Sequence, residues 1–168
     1  MKDYLLVDGY NIIFAWNNGK IGDNIDAEKE KLINILCNYQ GIKKINVILV
    51  FDAYKVSGGV EIVEKIGGIY VVHTKEAETA DSYIERTTHE LTKQYNVTVA
   101  TSDGLEQAVI MGKGALRMSA KDLYEQVHVV KKEINTYIDR MKPAKNNMLV
   151  DNLDKEAANF LEDLRRKK

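Results

Sequence analysis

Apolar residues fall in short runs separated by polar punctuation. Residues 4–7 form one such run, which meets Asp8-Gly9 and reads as a short buried strand. Residues 45–51 are continuous and rich in β-branched side chains, the pattern of a strand buried on both faces, and they end at Asp52. Residues 69–73 and 97–101 read the same way, and 115–118 as a final short strand. Between these runs the period changes. Leu32, Ile33, Leu36 and Cys37 fall at helical spacing, predicting a helix over 26–39 with Asp26 as N-cap and Gly41 as stop. A second helix spans 80–95, with Thr79 near its start. A short one follows Ser102-Asp103 to about residue 111, broken by Gly112-Lys113-Gly114. Ser119 and Asp122 form a capping pair for a helix that reaches Met141. Gly58-Gly59 and Gly67-Gly68 bracket a strand-like stretch over 60–66, read as a flexible excursion or a β-ribbon. Pro143 marks a stop, and 151–166 reads as one more amphipathic helix before a basic tail, Arg165 to Lys168.

Strands that alternate with helices predict an α/β domain around a mainly parallel sheet with helices on both faces. The 168 residues fit one domain, 1–168, with 143–168 as a C-terminal helical extension. Composition narrows the class. At 45% hydrophobic residues the chain builds a core. No apolar run approaches the ~20 residues that cross a bilayer, and the first residues lack the long apolar region of a signal peptide. The expectation is a cytoplasmic protein with no membrane partner. Cys37 is the single cysteine, so no internal disulfide forms, and it reads as a small buried hydrophobe. His73, His89 and His128 lie too far apart for a zinc motif. A net charge of −1 supplies no general grip on nucleic acid. Any such activity rests on a local patch, a metal or a partner that presents the substrate.

Position carries more information than composition. Asp8, Asp52 and Asp103 each follow a predicted strand, and Asp81 falls in the first turn of the helix after the strand over 69–73. Aspartate is common at such places because it starts turns and caps helices. In open α/β sheets, however, ligands bind beyond the carboxyl ends of the strands, so all four acids converge on one edge. Clustered carboxylates repel one another unless a cation joins them. Hard oxygen ligands suit Mg²⁺ or Mn²⁺, a setting for phosphodiester hydrolysis.

Five blocks of the sequence resemble one family. Residues 6–13, with Asp8-Gly9-Tyr10-Asn11, are similar to the opening motif of NYN domains. Val50-Phe51-Asp52-Ala53 resembles their second acidic motif, and 101–107, with Ser102-Asp103, the third. Residues 74–85, which include Asp81, and 112–119 are similar to blocks of the YacP-like group, a branch of the PIN-like nucleases. The match spans about residues 4–135; Gly104 stands where a larger residue is expected.

The resemblance implies a PIN-like (NYN) fold and an endoribonuclease that cuts mRNA in association with the translating ribosome, poorly on free RNA. It implies Asp8, Asp81 and Asp103 as metal ligands with Asp52 as a fourth acid, and no small-molecule cofactor. A metal-activated water would leave a 5′-phosphate and a 3′-hydroxyl. Asn11 would orient a ligand or touch phosphate, and Ser102 would bind phosphate or cap. Glu78 would share the side of Asp81 if its helix begins early. Lys75, Lys113, Arg117 and Lys121 flank the acidic motifs as phosphate contacts, and Tyr10 and Tyr54 are placed to stack on unpaired bases. His73 reads as a packed strand-end residue. Two other functions fit the same residues: a metal-dependent phosphohydrolase acting on DNA or a small phosphoester, and a non-catalytic RNA- or ribosome-binding module.

Overall fold

A computed structural model describes residues 1–20, 22–53 and 59–142. Tyr54, Gly58, Pro143, the helix expected over 151–166 and the basic tail lie outside the described residues. The chain divides into two units, Met1–Lys132 and Glu133–Lys168. In the second, the described residues belong to the end of one helix, where Lys142 pairs with Asp139 at 2.8 Å.

The first unit is built on strands β1 (Asp3–Asp8), β2 (Asn46–Phe51), β3 (Ile62–Ile66), β4 (Ile69–His73), β5 (Asn96–Ala100) and β6 (Leu116–Met118). They form one sheet in the order β3-β4-β2-β1-β5-β6. Every neighbouring pair is parallel except β3 with β4. That hairpin turns on Gly67 and Gly68, both at positive φ, a conformation glycine adopts without a Cβ penalty.

Helices cover both faces. They are α1 (Gly9–Trp16), α2 (Ile25–Lys43), α3 (Ala80–Leu91), α4 (Gly104–Gly112) and α5 (Ala120–Met141). Side chains alternate along each strand, so one residue in two serves each face. Leu6, Val50, Val72 and Val99 pack with Ala80, Ile84 and Ile110 of α3 and α4 in one buried cluster. Their neighbours Val7, Phe51 and Val71 therefore face the other way, where α1 and α2 lie against β2 and α2 reaches β4. Fully burying each of these Val, Leu, Ile and Phe side chains contributes roughly 1.5–3 kcal/mol.

Three boundaries differ from expectation. The helix over Gly9–Trp16 carries a mixed apolar and aromatic pattern with no clear period; Ile12 and Ile13 are buried, so packing rather than propensity holds it. The cap of α2 is Asn24, whose Oδ1 accepts from the Ala27 N–H at 3.1 Å, which leaves Asp26 in the first turn. Gly41 does not stop α2: the helix runs on and ends where Lys44 turns left-handed at φ 57°. Cys37 is half-buried rather than buried, and its thiol lies 3.4 Å from the Ile66 carbonyl.

Candidate metal centre

Strand order sets the place. From β1 the chain moves to β2 on one side and later returns to β5 on the other, so the switch point lies between β1 and β5. Crevices at such points, beyond the carboxyl ends of the strands, are where α/β sheets bind ligands. Asp8 ends β1 at this point, and Glu106 lies in the first turn of the helix after β5. Asp81 comes from the first turn of α3, the crossover that leads to β5. One carboxylate oxygen from each of Asp8, Asp81 and Glu106 lies within 4.8 Å of the other two.

The environment of these acids is uneven. Asp8 is 7% exposed and Glu106 8%, whereas Asp81 is open to solvent. Burial pushes the Asp8 carboxyl up to about 7, with the neighbouring Asp81 and Asp52 charges adding to the shift. The Asn11 N–H, donating to Asp8 Oδ1 at 3.3 Å, opposes it. Burial likewise pushes Glu106 up to about 8, against the hydrogen bond from Thr101 and with the Asp8 and Asp81 charges adding. Thr101 Oγ1 donates to Glu106 Oε2 at 2.7 Å. The other oxygen, Oε1, is buried without a hydrogen-bond partner. A buried polar atom left without a partner costs roughly 1–3 kcal/mol. Three converging carboxylates, one with an orphaned oxygen, form a donor set that fits a hard divalent cation.

Two expected acids have other partners. Asp52 accepts from the Ala80 N–H at the start of α3. Asp103 is the N-cap of α4 and accepts from the N–H groups of Leu105 at 2.9 Å and Glu106 at 3.4 Å. Each thus fixes the helix start from which a clustered acid projects. Glu106 is the residue that sequence reasoning missed. Its signal was a carboxylate four residues before Ile110, which places it on the buried face of α4.

The remaining candidates divide in the same way. Asn11 Oδ1 accepts from the Ser102 N–H at 2.6 Å and from its hydroxyl at 2.7 Å, tying α1 to the β5–α4 turn. Glu78 holds Arg86 through both carboxylate oxygens, at 3.1 Å and 3.3 Å, and is not one of the three grouped acids. Lys113 pairs with Glu85 at 2.8 Å, and Arg117 donates to Gln107 at 2.7 Å. Lys75 and Lys121 are exposed, and Tyr10 packs edge-on against Phe51. His73 is half-buried at the end of β4 and stacks on Phe51.

The chain is similar to known proteins in sequence and in fold. The family model described as "YacP-like NYN domain" matches residues 5–166. The YacP protein of Bacillus subtilis (strain 168) is 38% identical over 148 residues, which cover 84% of this chain and 86% of that protein. A crystal structure of Rae1 (YacP) from Bacillus subtilis superimposes with a TM-score of 0.71 at 33% identity, covering 98% of this chain and 95% of the other. A point-mutant form of the same protein gives 0.71 at 35% identity over 86% of each chain.

Proposed function

The chain belongs to the YacP-like NYN domain family, and on that premise we propose that it is a metal-dependent endoribonuclease that cuts messenger RNA on the translating ribosome. The observation that carries this reading is the acidic trio at the switch point: Asp8, Asp81 and Glu106, with Glu106 Oε1 buried and unpartnered. These three carboxylates would hold Mg²⁺ or Mn²⁺. When bound, such an ion supplies charge neutralisation, polarisation of a phosphoryl oxygen and a more acidic water.

The chain's own groups prepare the site. Thr101 fixes one oxygen of Glu106 and leaves the other available. Asp52 and Asp103 anchor the first turns of α3 and α4, so Asp81 and Glu106 start from fixed backbone. Asn11 locks the β5–α4 turn against α1, which Asp8 itself caps. With their carboxyls pushed up, Asp8 and Glu106 release protons as the cation binds. Cleavage would leave a 5′-phosphate and a 3′-hydroxyl.

The net charge of −1 gives weak attraction to free RNA, so a ribosome that presents the message would supply the local concentration. Such a protein works in the cytoplasm, where translation occurs. Mapping new 5′ ends on one mRNA in a translating extract, with and without translation, tests this. Cuts that require both translation and Asp81, lost in Asp81→Asn, support it. Cuts that ignore translation, or survive Asp81→Asn, contradict it.

A further inference from the structure

The acids repel a polyanionic substrate, so a nuclease needs cations placed near them. Lys113 and Arg86 are paired with carboxylates, and Arg117 with Gln107. Lys29 differs. It projects from α2, is half-buried, and among the described residues no carboxylate lies within 4 Å of its ammonium. The Nζ sits 4.7 Å from the Phe51 ring centre and 5.8 Å from that of Tyr10. His73 Nε2 lies 3.3 Å away. An ammonium only donates, so Nε2 is the acceptor and His73 is neutral in this contact. Burial, then the Lys29 charge, lower the His73 pKa and keep it so. Ring faces and one imidazole favour the cation without neutralising it. A half-buried charge held open in this way is a site for an anion.

Its position relative to the acids is fixed by register. Phe51 is paired with His73, and Asp8 with Val50, so all lie at the carboxyl ends of adjacent strands. The Phe51 ring packs beneath Gly9, where a Cβ would lie 2.3 Å from it. By strand alternation Phe51 and His73, and with them Lys29's cluster, lie on the α1–α2 face, and Asp8 lies on the α3 face. From β1 to β4 is two strand spacings, about 10 Å. A single strand that crosses this edge places one phosphate at Lys29 and another, not adjacent to it, at the acids.

We propose that Lys29, positioned by His73 and the Phe51 and Tyr10 rings, binds a backbone phosphate of the RNA strand apart from the scissile one. This rests on the reading of the chain as a ribonuclease.

The test is fluorescence anisotropy of an unstructured RNA oligonucleotide with the full chain in Ca²⁺, across a salt series, for wild type, Lys29→Met, Lys29→Gln and Lys29→Arg. The two neutral variants should bind more weakly and lower the slope of log affinity against log salt by about 0.7, the value for one phosphate contact on a single strand. Lys29→Arg should keep the slope. A merely structural lysine would change melting temperature without moving the slope. An unchanged slope in Met and Gln variants that remain folded overturns the proposal, as does absence of any binding by wild type. Cleavage of one mRNA by the same proteins in a translating extract with Mg²⁺ separates the two readings. Wild-type cleavage with unchanged Lys29 slopes sinks this inference alone, whereas slope loss with no cleavage sinks the nuclease reading and leaves the phosphate contact standing.

Discussion

Glu106 has three restraints at once: burial, a hydroxyl on one oxygen and two acidic neighbours. Those restraints make sense for a ligand and are costly for an isolated carboxylate. Glu106→Gln keeps the shape and the Thr101 contact but removes the charge. The expected result is a loss of at least about tenfold in RNA cleavage, a lost ligand costing no less than the second-shell changes that cost 10–100-fold. Melting temperature in the absence of metal should hold or rise, because one source of repulsion is gone. Cleavage within a few-fold of wild type, in a variant of unchanged stability, would remove Glu106 from the site. The Asn11 side chain acts differently, since its Oδ1 accepts both hydrogen bonds from Ser102; its effect is on the placement of the β5–α4 turn.

At the scale of elements, the helix starts do the positioning. Asp103 caps α4 through the Leu105 and Glu106 N–H groups. Asp103→Ala should cost about 1 kcal/mol of stability, read by denaturant unfolding. Asp103→Ser restores a capping oxygen without a carboxylate, so it should recover that loss and retain cleavage. If Asp103→Ser is stable yet inactive, the acid serves the metal and not only the helix. The strands other than β3, and α3, α4 and α5, were legible in the chain because period, capping pairs and glycine breaks agreed there. α1 was not, because its apolar and aromatic residues carry no clean period and Asp8 serves both strand end and N-cap. The end of α2 was misread at Gly41, since a glycine inside a helix costs only about 1 kcal/mol and packing of Leu36 and Tyr39 outweighs it. In the candidate site, Asp8 was visible from its place after a strand and Asp81 from the first turn of the helix that follows β4. Glu106 was hidden because a glutamate three residues after an aspartate looks like an ordinary capping partner. Which side of α4 faces the core, with Ile110 and Gln107 buried, is what reveals it.

For the whole molecule, the acidic centre links stability to pH and to metal. Asp8 and Glu106 rise from 3.8 and 4.5 to about 7 and about 8 on folding without metal. Between those limits the folded state holds more protons than the unfolded one, so stability falls as pH rises. Metal-free protein should therefore be more stable near pH 5 than near pH 8, and Mn²⁺ should restore the loss at pH 8. Thermal unfolding at both pH values, with chelator or Mn²⁺, reads this; equal stability at both without metal would contradict it. Most direct is calorimetric titration of Mn²⁺ into chelator-stripped wild type, Glu106→Gln and Asp103→Ser. A metal held by Asp8, Asp81 and Glu106 predicts binding by wild type and Asp103→Ser, and a loss of at least tenfold in affinity for Glu106→Gln. Binding by Glu106→Gln that matches wild type would contradict it.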